Sequence, residues 1–279
     1  MPKKFLLLAI PILIVANISP ANAAMTYPQR IISLSPSATE DLFAIGAGKQ
    51  VIAVDDNSNF PKNSPFTKLS SFTPNVEALL AYKPDLVVIQ STATKADAVI
   101  AQLKALKVKV FVEHTPDTVP QAYVEIAALG KLTGKSASAN SLVAKMKQEI
   151  SSVLKSSKLK SPKSFFHELD NSLYSATSST FIGKVYADFN LQNIADPAAK
   201  ADDGGYPQLQ SEYVIKSNPD LIYLSDGEPI ANVAARPGWS GIAAVSNKKI
   251  ITLPSDIPSR WGPRIVDFYK FIAKSIKSN

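Results

Sequence analysis

The 279-residue chain has no cysteine, only two histidines and only four arginines. Without cysteine no disulfide can staple the fold, so stability must come from a packed core. The same absence excludes a thiol nucleophile and a lipid attached through a cysteine. Two histidines, His114 and His167, are too few nitrogen ligands for a dedicated zinc or manganese carrier. His114 follows a predicted strand and is read as a loop or surface residue, whereas His167 falls inside a strand pattern and is read as structural. No serine stands in a G-x-S-x-G elbow. Two near misses to a phosphate loop fail: Gly46-Ala47-Gly48-Lys49 runs from helix to strand, the wrong order, and Gly134-Lys135-Ser136 has Leu129 where the first glycine belongs. No catalytic set, metal site or cofactor is therefore expected. The 11 glycines and 20 prolines are scattered and build no low-complexity tract.

Beyond the N-terminus no apolar run is long enough to span a bilayer. The N-terminus itself has the layout of an export signal. Lys3 and Lys4 precede an uncharged apolar run from Phe5 to Ile18, and Ala21-Asn22-Ala23 is a small-x-small cleavage site. A mature chain starting at Ala24 is expected, free in the periplasm. Its formal charge falls from +7 to about +5 once Lys3 and Lys4 are gone. The excess is spread lysine, as in Lys104, Lys107 and Lys109 or Lys155, Lys158, Lys160 and Lys163, which suits a solvated surface better than a nucleic-acid stripe. Arginine is the residue suited to fixed, bidentate recognition, so Arg30, Arg236, Arg260 and Arg264 draw notice.

One stretch occurs twice. Val76-Glu77-Ala78-Leu79-Leu80-Ala81-Tyr82-Lys83-Pro84-Asp85-Leu86 matches Ser211-Glu212-Tyr213-Val214-Ile215-Lys216-Ser217-Asn218-Pro219-Asp220-Leu221. Each copy opens a short helix with a glutamate, ends it before Pro-Asp-Leu and runs into an apolar strand. Asn75 and Ser211 are predicted N-caps, and a first-turn carboxylate favours the helix dipole. Capping accounts for either glutamate alone; the shared frame points to two lobes of like construction.

The first half alternates strand and helix. Ile31-Ile32-Ser33-Leu34 leads into a helix from Ser35-Pro36-Ser37, and Val51-Ile52-Ala53-Val54 follows after Gly46 and Gly48, a β-α-β unit of the parallel-sheet type. Residues 55–71 are read as a polar loop. A helix over about 95–106 and a strand over 108–112 complete the pattern. Two helices follow, over 119–132 and about 137–154, the second with Leu142, Val143, Met146, Ile150 and Val153 on one face. A strand at 164–169 opens the second half. A helix over about 182–189, a polar loop over 196–206, a short helix over 239–245, a strand over 249–253 and a closing helix from Pro263 to Ile276 come after it. The segment Leu253-Pro254-Ser255-Asp256-Ile257-Pro258-Ser259-Arg260-Trp261-Gly262-Pro263-Arg264 follows a strand and precedes a helix, where open α/β sheets bind ligands. Arg264 is read as a structural ion-pair partner; Asp256, Arg260 and Trp261 are candidate ligand contacts.

These residues together resemble a known family. Ile32-Ser33-Leu34-Ser35-Pro36-Ser37-Ala38-Thr39-Glu40, Pro74-Asn75-Val76-Glu77, Lys83-Pro84-Asp85-Leu86-Val87-Val88, Leu129-Gly130-Lys131-Leu132-Thr133-Gly134, Asn218-Pro219-Asp220-Leu221 and Arg236-Pro237-Gly238-Trp239 are similar to segments of the helical-backbone periplasmic substrate-binding proteins. These serve ABC importers of cobalamin, ferric siderophores and haem. The resemblance implies an α/β fold of two Rossmann-like lobes, each a mainly parallel sheet flanked by helices. One long rigid helix joins them, with the ligand cleft between. The corresponding division is a signal peptide at 1–23, a first lobe at 24–135, a linking helix at 136–157 and a second lobe at 158–279. It also implies that Glu77 and Glu212 dock on the two subunits of an ABC permease, and that the free protein is a monomer binding a small molecule. The spacing of Ser255, Asp256, Arg260, Pro263 and Arg264, and Tyr206-Pro207-Gln208, are most similar to the cobalamin-binding members. That likeness implies a corrinoid ligand and no catalysis, with a ferric siderophore or haem carrier as the alternative and a two-lobed enzyme as the less favoured one, and with Ser35, Pro36, Phe72, Tyr174, Phe181, Tyr206, Asp256, Arg260 and Trp261 around the ligand. Asn57 departs from the pattern, standing where those members carry an aromatic.

Overall fold

The computed structural model describes residues 27–277. The export signal and its cleavage site lie outside these residues. Among the described residues the strands form two sheets, both parallel throughout.

The first sheet has the order β3-β2-β1-β4-β5 and is built from β1 (Ile31–Leu34), β2 (Val51–Asp55), β3 (Phe66–Leu69), β4 (Leu86–Gln90) and β5 (Lys109–Glu113). The second has the order β7-β6-β8-β9, built from β6 (Lys163–Glu168), β7 (Leu191–Asn193), β8 (Leu221–Leu224) and β9 (Ile250–Thr252). Removing the edge strand β3 leaves the same strand order in both sheets. β1 and β8 are buried along their whole length, as strands covered on both faces should be, β1 including the polar Ser33, whose hydroxyl donates to the Ser35 carbonyl.

The repeat extends into this topology. Helix α2 (Val76–Leu80) precedes β4 and helix α7 (Ser211–Ser217) precedes β8. Lys83 (φ 50°) and Asn218 (φ 47°) both take the left-handed conformation just before the proline. Asp85 then accepts the backbone N–H groups of Gln29 and Arg30, at 2.8 and 3.0 Å, where β1 begins. Asp220 does the same for Ser164 in β6, at 2.8 Å, and also takes its hydroxyl at 2.9 Å. The acid of each repeat thus sets the register of the neighbouring central strand, in each lobe 56 residues earlier in the chain. Arg30 closes the first unit by donating to the carbonyls of Lys83 and Tyr82.

The capping differs between the copies. Asn75 accepts from the Ala78 N–H at 2.9 Å, as expected of an N-cap. Ser211 is not a cap: α7 starts on it, with Gln210 at the cap position, and its hydroxyl instead accepts from the Trp239 indole at 2.8 Å. Glu77 and Glu212 stand second in their helices, and both are exposed.

Helix α4 (Val119–Thr133), closed by Gly134 in the left-handed conformation, turns directly into α5 (Ser136–Ser157), which carries the chain from one lobe to the other. At 22 residues α5 is about 33 Å long. The closing helix α10 (Ile265–Lys277) packs along it, with Lys270 bonded to Glu149 at 2.7 Å. Pro263 precedes this helix by two residues instead of occupying its first turn. One apolar core joins the lobes through these helices, running from Ile31, Leu42 and Ile126 to Ile150, Phe165, Tyr186 and Phe268. Each sheet has a second core on its other face.

Three short elements escape the sequence pattern. β3 lies inside the predicted loop of residues 55–71; β7 and helix α8 (Ile230–Ala234) are likewise unpredicted. The helix expected over 239–245 is a 3-10 turn, Trp239–Gly241, followed by helix α9 (Ala243–Ser246).

Candidate functional site

Loops at the carboxyl ends of the strands of both sheets carry the candidate residues, which is where parallel sheets place ligand sites, and the strap of residues 253–264 bonds to the opposite lobe. From the first lobe come Ser35 and Pro36 after β1, Asn57 and Phe60 after β2, Phe72 after β3 and Glu113 at the end of β5. From the second come Tyr174 after β6, Tyr206 after β7, and the strap of residues 253–264 after β9.

The strap crosses onto helix α1 (Pro36–Ala44) of the first lobe, and its charges are used there. Glu40 of α1 has a side chain 2% exposed and accepts from Arg264, with Nε at 2.9 Å and Nη2 as a second donor. The same guanidinium reaches Asp256 at 2.8 Å, so the Asp256 carboxylate is already paired within its own loop. Arg260 lies 3.9 Å from Glu40, and its Nη2 donates to the Asn57 carbonyl at 3.4 Å across the seam, while its Nε has no hydrogen-bond partner. Burial lowers the Arg260 pKa. Arg264 also covers the Phe60 ring at 4.4 Å, a cation–π geometry.

Trp261 is half-buried. Its backbone N–H donates to Ser37 Oγ at 3.3 Å and its indole N–H to Glu113 Oε1 at 3.1 Å, so it touches two elements of the opposite lobe. Its ring meets Phe181 edge-on, with centroids 6.5 Å apart. Gly262 lets this contact form: a Cβ there would stand 3.1 Å from Asp41 Oδ1 and 3.2 Å from the Ser37 carbonyl.

The remaining candidates divide. Phe72, Tyr174 and Tyr206 are exposed at 63%, 41% and 42%. Tyr174 bridges to Gln208, and both tyrosines line a polar hollow of about 420 Å³ with Lys200, Asp202 and Asp203. Ser35, Pro36 and Phe181 are different. The Ser35 hydroxyl caps α1 through the Ala38 N–H at 3.2 Å, Pro36 is buried in the first turn, and Phe181 is 6% exposed at the start of helix α6 (Phe181–Asp188). These three build the walls behind the surface and present little of it.

Phe60 and Glu113 were not singled out by sequence. Phe60 is 42% exposed, three positions after Asn57; the signal available was an aromatic amid the polar, proline-rich run after β2. His114 is exposed. His167 is fully buried between Tyr186 Oη at 2.7 Å and Ser225 Oγ at 3.0 Å, and burial pushes it down to about 3. Arg236 forms a two-pronged pair with buried Glu168, at 2.6 and 2.7 Å, and stacks on Trp239. Among the described residues no group of three or more His, Asp or Glu is arranged to hold a metal ion, and no helix is long and apolar enough to cross a membrane.

The family profile described as "periplasmic binding protein" matches residues 31–257. The chain belongs to that family. Its members are substrate-binding proteins of transport systems. A substrate-binding lipoprotein of an ABC transporter in Bacillus subtilis, YvrC, is 32% identical over 89% of this chain and 80% of its own length. The vitamin B12-binding protein of Vibrio cholerae is 26% identical over 93% of this chain and 94% of its own. Among solved structures, the periplasmic haem-binding protein HutB of Vibrio cholerae superposes with a TM-score of 0.78 at 23% identity, covering 90% of this chain and 99% of that one. The two-lobed parallel α/β fold is shared with such neighbours.

Proposed function

We propose that this family member captures a corrinoid of the cobalamin type in the periplasm and hands it to an ABC import permease without catalysis. The observation that carries the reading is the set of exposed aromatics in loops at the strand ends: Phe60 and Phe72 from the first lobe, Tyr174 and Tyr206 from the second. A large, mostly apolar ligand with polar substituents needs such walls, with few polar groups to orient it. The vitamin B12-binding relative, similar over nearly its whole length, supports the same choice. In this reading Arg260 is the polar contact, because its guanidinium is the less committed of the two in the strap, whereas Asp256 acts by holding Arg264. Glu77 and Glu212, exposed at one position of two like helices, are the handles for a permease with two like subunits. Such charge complementarity sets register and speeds encounter.

A second reading is a carrier of ferric siderophore or haem, favoured by the same partly unpaired Arg260, which suits a ligand carboxylate. Calorimetry on the mature protein separates the two. Saturable heat with cyanocobalamin at one ligand per chain supports the first. Silence with corrinoids but tight binding of a ferric hydroxamate or haemin replaces it with the second. Charge reversal at Glu77 and Glu212 should abolish transport while leaving ligand affinity unchanged; a loss of affinity would remove the docking assignment.

A further inference from the structure

The seam under the strap holds a pair of acids that ligand capture does not explain. Glu113 and Asp41 are each 1% exposed. Both Asp41 oxygens and Glu113 Oε2 have no hydrogen-bond partner. The charges acting on the two are anionic: Asp55 at the end of β2 and Glu125 on α4 act on Glu113, and Glu113, Glu40 of α1 and Glu125 act on Asp41. The nearby cations come from the strap, and both face Glu40: Arg264 bonded to it and to Asp256, Arg260 at 3.9 Å. Its neighbour His114 is exposed. What faces Glu113 directly is neutral, the indole N–H of Trp261 and the Ser35 hydroxyl.

We propose that Glu113 is a positioning residue for the cleft wall, and that the proton on its carboxyl keeps Trp261 seated on the first lobe. With Glu113 protonated, and Asp41 protonated too because burial and its acidic neighbours push it well above the carboxylate range, the indole N–H rests on a neutral carboxyl and the two acids bury no charge. Losing the Glu113 proton leaves an anion in a dry seam beside other acids, without a cation of its own. Water can reach that anion only if the strap lifts. Burial and like charges push Glu113 up to about 7 and Asp41 well above the carboxylate range. The seated form therefore binds more protons than the lifted form, so seating is favoured below about pH 7 and weakens as pH rises through it. If the strap is a ligand wall, affinity inherits this dependence; that clause rests on the reading above, and the seating does not.

The test uses ligand-free protein labelled with 5-fluorotryptophan. The chain has two tryptophans, and Trp239, buried with its N–H on Ser211, is the internal reference. Fluorine NMR from about pH 5 to about pH 9 should show the Trp261 resonance titrating with a midpoint near 7 while that of Trp239 stays fixed. Glu113→Gln, neutral at every pH and still able to accept the indole N–H, should hold Trp261 at its low-pH position. Asp41→Asn, neutral as the protonated Asp41 is at this pH, should leave the Trp261 midpoint near 7, and serves alone if Glu113→Gln does not fold. A Trp261 signal that does not titrate, a titration surviving in Glu113→Gln, or a titration lost in Asp41→Asn would each overturn the proposal. Cyanocobalamin calorimetry at the two pH extremes is the separate arm. No heat at either, with the NMR titration intact, removes the corrinoid reading and leaves Glu113 in its role.

Discussion

Glu40→Gln tests how far the two lobes are held by charge at the seam. Glu40 is 2% exposed and faces two guanidiniums, one bonded to it and one 3.9 Å away. Removing one partner of a buried pair costs about 3–5 kcal/mol, mostly because the other charge is left uncompensated. Two features place this case at the lower end. Arg264 keeps Asp256 at 2.8 Å, and at 15% side-chain exposure it can recruit water. The expected loss is about 3 kcal/mol, which for a chain of this size lowers the melting temperature by about 6–12 °C. Urea denaturation followed by far-UV circular dichroism gives the first number and calorimetry the second. Arg264→Met should also destabilise, and the double variant should lose much less than the two singles together, since contacting residues couple by about 0.5–3 kcal/mol. A high-salt series separates a buried pair from a surface one, because salt screens the latter far more. A loss below about 0.5 kcal/mol, or full additivity in the double variant, would refute the claim that this pair fastens the lobes.

The two repeat helices should respond differently to serine or asparagine removal. Asn75→Ala should cost about 1 kcal/mol by uncapping α2, whereas Ser211→Ala should cost about 1–3 kcal/mol by stranding the buried Trp239 N–H and shift tryptophan fluorescence. His167 is held neutral down to about pH 3, while an unfolded chain protonates it near its ordinary value. The unfolded state therefore binds the extra proton between these values, so the contribution of His167 is complete above the ordinary value and is lost as pH falls. His167→Gln should flatten the acid side of a stability–pH curve. Because one apolar core spans both lobes, scanning calorimetry should show a single cooperative transition; two separable transitions would mean that the lobes are energetically independent.

Much of this was legible because local rules agreed with the fold. Asn75 next to a helical pattern, Pro-Asp-Leu before an apolar run, and glycine behind α4 each specify a backbone conformation within a few residues. β3 and β7 were missed because each is a short edge strand of few residues, paired on one side only, and tertiary pairing rather than local pattern makes it a strand. Ser211 misled for a related reason. A serine before a helix is a good cap in isolation, but here the nearby indole of Trp239 claims its oxygen. In the candidate site, the strap was legible as a concentration of Arg, Asp and Trp after a strand. What each of those groups faces was not, since Glu40, Asn57 and Glu113 lie far away in the chain.

By itself the sequence determined that the chain is two α/β units of one pattern, each presenting a glutamate in the first turn of a like helix and each ending that helix at Pro-Asp-Leu before an apolar strand. Those features depend on neighbours along the chain and on a repeated spacing, and both can be read without a partner surface. Only the tertiary structure decided which charges are free. It paired Asp256 with Arg264, set both strap arginines towards Glu40, seated Trp261 on Glu113 and left Asp41 buried without a partner. Burial and long-range proximity determine those outcomes, and neither is a property of any single stretch of residues.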